Sequence, residues 1–241
     1  GYAHIGVLKV LKRESIPIDV VTGSSIGALI GSLYAAGIDV DIIETLAYQI
    51  RRRHWLDLTL PAEGLIAGKK IESILSTLTK GMNFEQLRIP LGVVVTNLSE
   101  KKSVLVTSGS VAKAVRASIS IPGIFEPVIK SGQLLVDGGV LERVPGKEAR
   151  LMGSEFVIGV ELGFGTASKR TNIYDILMRT FDIMGEELQN LKGYNTEVLI
   201  TPKLEGIDSM AFNQVKKCIA AGEKAAEQAL PDILHGIKKE G

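Results

Sequence analysis

The sequence predicts an α/β protein, a layered fold with a central, mostly parallel β-sheet flanked by helices. Three observations predict it. Short β-branched runs alternate along the chain with segments whose apolar residues fall at helical spacing, which is the order that builds a parallel sheet. Hydrophobic residues make up 45% of the 241 residues and the mean hydropathy is +0.21, enough to fill a sizeable core. No internal repeat, linker or low-complexity tract interrupts the chain, so residues 1–241 read as a single domain.

Each element has its own signal. From His4 to Arg13, Ile5, Leu8 and Leu11 share one side of a helix. Ile18 to Thr22 is a β-branched run and reads as a buried strand. Leu29, Ser32 and Leu33 then mark a helix from Ser25 to Ala36, which Gly37 closes. Asp39 to Arg53 and Lys69 to Thr79 are further helices. Leu91 to Thr96 and Val104 to Val106 read as strands, Ser110 to Ala117 as a helix, and Ile121 to Val128 as an irregular apolar segment. Leu134 to Val136 is a strand running into Asp137-Gly138-Gly139. Phe156 to Val160 reads as a strong central strand, Ile173 to Leu191 as a long helix, Val198 to Ile200 as a strand and Asn213 to Ala229 as a final helix.

Composition excludes several classes of function. With 28 Lys+Arg against 27 Asp+Glu, no basic field points to nucleic acid. A single cysteine, Cys218, rules out a disulfide framework and reads as an inert buried thiol. Three histidines, scattered as His4, His54 and His235, leave little for a histidine-built metal site, and no metal or cofactor is implied. The uncharged stretch Val20 to Ile38 approaches the length of a spanning helix, but its glycines and serines read better as a buried strand followed by a buried helix. The chain opens at Gly1-Tyr2 with neither an initiator methionine nor a cationic, apolar leader, so the expectation is a cytoplasmic protein whose N-terminus is truncated.

Gly23-Ser24-Ser25-Ile26-Gly27 matches G-x-S-x-G directly after a strand and at the start of a helix, the setting of a nucleophile elbow. The sharp turn leaves little room for side chains at the flanking positions Gly23 and Gly27. The helix that starts at Ile26 offers free N–H groups to a developing oxyanion. The neighbouring Ser24 is expected to point away from the elbow. An ordinary glycine-containing βα turn would carry the same letters.

A serine nucleophile needs a base. Only His235 falls late enough in the chain for the order of an α/β-hydrolase triad, and it sits near a lysine-rich terminus expected to fray. Asp137 is the better candidate. It ends an apolar strand before Gly138 and Gly139, where a carboxylate can reach the end of the Ser25 strand and where burial would raise its pKa. Asp-Gly-Gly is also a common plain turn.

Together these residues resemble the patatin-like phospholipase family, above all its bacterial members and the neuropathy target esterase type of catalytic domain. The matching stretches are Gly1 to Leu8, Val21 to Ala28, Arg116-Ala117-Ser118 leading to Pro122-Gly123-Ile124-Phe125-Glu126-Pro127, and Val136 to Val140. They follow the family's order over residues 1–165. The resemblance implies a Ser–Asp dyad without histidine, in which Ser25 forms an acyl-enzyme and Asp137 takes its proton and then activates water. It also implies an oxyanion hole from a G-G-G-x-R-G loop, of which only the last glycine, Gly1, is present here. Asn97-Leu98 departs from the family's Asp-Leu.

The expected function is a serine esterase acting on lipid acyl esters, of phospholipase or lysophospholipase type, with a lipid or small ester as substrate. The alternative is a non-catalytic regulatory or interaction protein on the same fold; an acyl transferase is a weaker third reading. Arg51-Arg52-Arg53-His54-Trp55-Leu56 suits either peripheral contact with a membrane surface or a solvated helix end with a buried tryptophan. Pro122, Ile124 and Phe125 suit either an acyl-chain pocket or plain core. The oligomeric state is not legible.

Overall fold

A computed structural model describes residues 1–49, 57, 66–163, 173–204 and 214–240. Its helices are α1 (Ala3–Arg13), α2 (Ile26–Ala35), α3 (Val40–Gln49), α4 (Lys69–Leu78), α5 (Val111–Ser118), α6 (Gly146–Leu151), α7 (Ile173–Lys192) and α8 (Val215–Glu240). Its strands are β1 (Val21–Ser24), β2 (Leu91–Asn97), β3 (Lys102–Val106), β4 (Val128–Lys130), β5 (Gln133–Asp137), β6 (Ile158–Val160) and β7 (Val198–Ile200).

The α/β class is as the sequence predicts, but the sheet is mixed. In the five-stranded sheet, β1 pairs parallel with β2, whereas β2–β3, β2–β5 and β4–β5 are antiparallel. Connection length explains the difference. A parallel pair needs a crossover, and β1 and β2 are separated by α2, α3 and α4. β4 and β5 are joined at Ser131-Gly132, with φ of 51° and 77°, a tight turn that can only give a hairpin. Between β2 and β3, Asn97 Oδ1 accepts the N–H groups of Ser99 and Glu100 and closes that turn, which an aspartate would do equally well.

β2 is the centre of the molecule because all of its residues are buried; Val93, Val94 and Val95 are each 0% exposed and contribute roughly 1.5–3 kcal/mol apiece. β3 pairs with Val93 to Asn97 and so holds one edge of β2. β1 and β5 therefore share the other edge. β1 runs along it and stops at Ser24, opposite Val94; β5 comes the opposite way and stops at Asp137, opposite Val95. The two strands meet end to end.

Other elements depart from expectation. The strand expected at Phe156 to Val160 is not central: β6 pairs parallel with β7 in a separate two-stranded sheet. Residues 18–20 lie outside β1, which starts at Val21. The last helix runs on to Glu240 through Pro231, because Ile233, 0% exposed, is held in a cluster with Val7, Val10 and Leu11 of α1. Packing there outweighs the hydrogen bond lost at the proline. The uncharged stretch is strand plus helix, and among the described residues no helix is long and apolar enough to cross a membrane.

Candidate active site

The chain leaves β1 at Ser24 and enters α2 at Ile26, so Ser25 alone makes the turn. Its φ of 52° and ψ of −124° lie where a side chain is disfavoured, at a cost of about 1–3 kcal/mol. A hydrogen bond holds it there: the Ser25 N–H donates to Ser118 Oγ at 2.9 Å. A Cβ at Gly23 would sit 2.5 Å from the Ala28 nitrogen, so the first glycine of the motif is obligatory. The second is not. A Cβ at Gly27 would make only an ordinary contact, 3.7 Å from His4 Nε2, which corrects the expectation that both flanks are too crowded for a side chain.

The Leu29 N–H bonds to the Ser25 carbonyl, so the N–H groups of Ile26, Gly27 and Ala28 lie ahead of the first helical bond of α2. They form a positive end beside Ser25. Gly1 packs against the Ile26 side chain and lies at the same opening.

Asp137 reaches Ser25 across the meeting point of β1 and β5. Ser25 Oγ donates to Asp137 Oδ2 at 2.5 Å, a contact between residues 112 positions apart in sequence. The other oxygen, Oδ1, accepts the Gly139 N–H at 2.7 Å. Asp137 is 5% exposed. Burial pushes its carboxyl up to about 6, while the hydrogen bonds from Ser25 and the Gly139 N–H hold it from rising further. Gly138 must be glycine because a Cβ there would lie 2.3 Å from the Val94 carbonyl.

Behind Asp137, the loop 138–146 is held from two sides. Thr22 and Ser24 of β1 donate to the carbonyls of Pro145, at 2.9 Å, and Glu142, at 2.5 Å. Ser24 thus points away from the elbow, as expected, but into a bond that ties the two halves of the site. From α7, Gln189 Oε1 accepts the N–H groups of Arg143 and Val144, and Lys192 Nζ donates to the Leu141 carbonyl. Arg143 pairs with Asp182 at 2.5 Å.

The histidines are placed elsewhere. His4 borders the opening, but its Nδ1 lies 3.0 Å from the Gly1 carbonyl, and burial pushes it down to about 4. His235 is exposed on α8, a helix where the sequence suggests a frayed end. His54 and the rest of the Arg51–Leu56 cluster lie outside the described residues. Cys218 is buried on α8.

A cavity of about 990 Å³ opens at Ser25 and Asp137 and runs on between mostly apolar side chains, among them Leu46, Ile74, Ile121 and Phe125. Pro122 and Ile124 also border it, although Ile124 is 6% exposed and belongs equally to the core. Sequence reasoning missed the roles of Arg116, Ser118 and Ser120. Arg116 is buried, and its guanidinium bonds to the carbonyls of Ala67 and Glu126 and to Ser120 Oγ. Polar residues inside an otherwise apolar helix end were the available signal.

Known proteins resemble this chain in sequence and in fold. Residues 1–150 match the family model described as patatin-like phospholipase. The mouse patatin-like phospholipase domain-containing protein 7 is 32% identical over 193 residues, covering 73% of this chain and 14% of that protein. An uncharacterized NTE family protein of Mycobacterium bovis is 36% identical over 165 residues, 67% of this chain and 46% of that one. The Drosophila melanogaster neuropathy target esterase sws is 30% identical over 185 residues, 73% of this chain and 13% of that one. The chain thus spans less than half the length of these relatives. Among solved structures, VipD from Legionella pneumophila superimposes with a TM-score of 0.71 over 95% of this chain and 64% of that one, at 14% identity, a likeness of fold. On the strength of the matched residues and relatives, the chain belongs to the patatin-like phospholipase family.

Proposed function

We propose that this protein hydrolyses acyl esters of lipids, of phospholipase or lysophospholipase type, with Ser25 as nucleophile and Asp137 as base. The observation that carries the reading is the 2.5 Å hydrogen bond from Ser25 Oγ to a buried carboxylate at a strained strand-to-helix turn. With its carboxyl at about 6, Asp137 is ionised at neutral pH yet basic enough to accept a proton. It takes the Ser25 proton as Oγ attacks the ester carbonyl, and passes it to the departing alcohol as the acyl-enzyme forms. Water then attacks the acyl-enzyme, giving its proton to Asp137, and the proton returns to Ser25 Oγ as the acid leaves.

The negative oxygen of each tetrahedral intermediate needs donors. The N–H of Ile26 at the start of α2 would be one, and Gly1, which packs against the Ile26 side chain at the same opening, would be another. The apolar cavity suits an acyl chain, and Pro122, Ile124 and Phe125 stand along it. Arg51 to Leu56 would supply peripheral contact with a membrane that holds such a substrate.

Labelling with a fluorophosphonate probe, followed by peptide mapping, tests the assignment. The adduct is expected on Ser25, with labelling abolished in Ser25→Ala. An adduct on Ser24 or Ser118 would remove Ser25 from its role, and a folded protein inert to the probe and to a panel of p-nitrophenyl esters and lysophospholipids would favour the non-catalytic reading.

A further inference from the structure

We infer that Ser118 is a positioning residue that holds the nucleophile in its reactive conformation; this rests on the reading of Ser25 as nucleophile. Ser118 is the last residue of α5 and is 0% exposed, so its hydroxyl meets neither solvent nor substrate. Both of its hydrogen-bonding directions are committed. Its O–H donates to the Val94 carbonyl of β2 at 2.6 Å, and its oxygen accepts the Ser25 N–H at 2.9 Å. One hydroxyl therefore links the central strand to the only strained residue of the elbow.

The geometry gives this link a specific task. Ser25 sits at positive φ, a conformation that the surrounding structure must impose. Gly23 permits the turn but does not hold it. The Ser118 bond does, because relaxing Ser25 toward ordinary backbone angles would turn its N–H away from the Ser118 oxygen and leave that N–H without this acceptor. It also removes the Ser25 N–H from the set of oxyanion donors, leaving that work to Ile26 and Gly1.

α5 is itself anchored, which makes it a reference point for both halves of the site. The Arg116 guanidinium bonds to Ala67 O, Glu126 O and Ser120 Oγ, and it stacks over the Phe125 ring at 5.6 Å. Two residues beyond Ser118, the Ser120 carbonyl accepts the Asp137 N–H at 3.0 Å. A single short stretch thus fixes the backbone of the nucleophile through Ser118 and that of the base through Ser120.

The test compares wild type with Ser118→Ala and Ser118→Cys by fluorophosphonate labelling rate at Ser25, by kcat and KM on p-nitrophenyl butyrate, and by pH profile, well below the melting temperature of each. Labelling rate and kcat should fall about 10- to 100-fold in Ser118→Ala, with KM and the acid limb of the profile unmoved. Should Ser118→Ala not fold, Ser118→Cys carries the test, since it fills nearly the same space with a poor hydrogen-bonding atom. Folded variants that label at the wild-type rate would overturn the inference while leaving Ser25 as nucleophile. So would a rise in KM at constant kcat, which would make Ser118 part of the substrate pocket. A wild-type protein that does not label at Ser25 would overturn both.

Discussion

The two halves of the site are built in different ways. Ser25 stands on a turn whose geometry comes from its immediate neighbours, Gly23 and the start of α2, with one distant bond to Ser118. Asp137 stands at the end of a hairpin strand, and the loop behind it is held by side chains from β1 and by Gln189, Lys192 and Asp182 of α7. α7 lies beyond residues 1–150, the part of the chain that matches the family model. What holds the nucleophile thus lies within the matched residues, whereas the loop behind the base is also braced from beyond them.

The largest effect should come from the base itself. Asp137→Asn keeps the side-chain shape but removes its basicity, and ester hydrolysis should drop by about 10²–10⁴-fold. The same change should stabilise the protein at neutral pH. The Asp137 carboxyl is raised from 3.8 to about 6 by folding, so the folded state holds the proton more tightly and stability falls as pH rises from about 4 through 6. Asparagine escapes that penalty, on the order of 2–3 kcal/mol. Urea titrations at pH 7.5 and 3.5 check this, with the advantage of the variant expected only at the higher pH. A variant that is inactive and also less stable at pH 7.5 would make Asp137 a structural residue.

Next in size is the pH dependence of wild type. Because Asp137 must be ionised to act, kcat/KM should fall below about pH 6 and level off above it. A flat profile between pH 5 and 7 would break the assignment.

A smaller effect sharpens the contrast between the halves. Gln189→Leu removes the acceptor for the N–H groups of Arg143 and Val144 and should cost roughly 1–3 kcal/mol in a urea titration. It should lower kcat several-fold with the acid limb displaced, because the loop carrying the partner of Asp137 loosens while the elbow stays intact. An unchanged acid limb would show that α7 supports the fold but not the base. The smallest effect belongs to the histidines. His4, His54 and His235 replaced together by Gln should leave most of the activity, and a folded but inactive triple variant would replace the dyad by a histidine-dependent mechanism.

This contrast also accounts for what could be read in the sequence. Ser25 was legible because five consecutive letters encode its turn, and helices such as α1 and α4 were legible because their burial follows helical spacing. Asp137 was legible as a strand end, but its approach to Ser25 was not, since it follows from β1 and β5 sharing one edge of β2. The mixed sheet was missed because short strands such as β3 and β5 carry no direction in their letters, and β6 was overrated because apolar content does not reveal how many neighbours a strand has. α8 outran its expected end because tertiary burial of Ile233 is invisible to local propensity. Ser118 and Gln189 escaped notice because each acts on backbone groups far away in the chain, and no spacing rule points to such bonds.

The end-to-end meeting of β1 and β5 makes strand register a setting of chemical reactivity. No ladder bonds join the two strands to each other; each is positioned by its own attachment to β2. A slip of β5 by one residue along β2 would carry Asp137 about 3.3 Å from its place and turn its side chain to the opposite face of the sheet. The turn that carries Ser25 would keep its shape, but its Oγ would lose the carboxylate. The turn at Ser131-Gly132, which fixes how β4 and β5 align, therefore governs the base from the far end of a five-residue strand. An insertion or deletion in that turn could silence the site as completely as removing the carboxylate, in a molecule whose helices and nucleophile remain as they were.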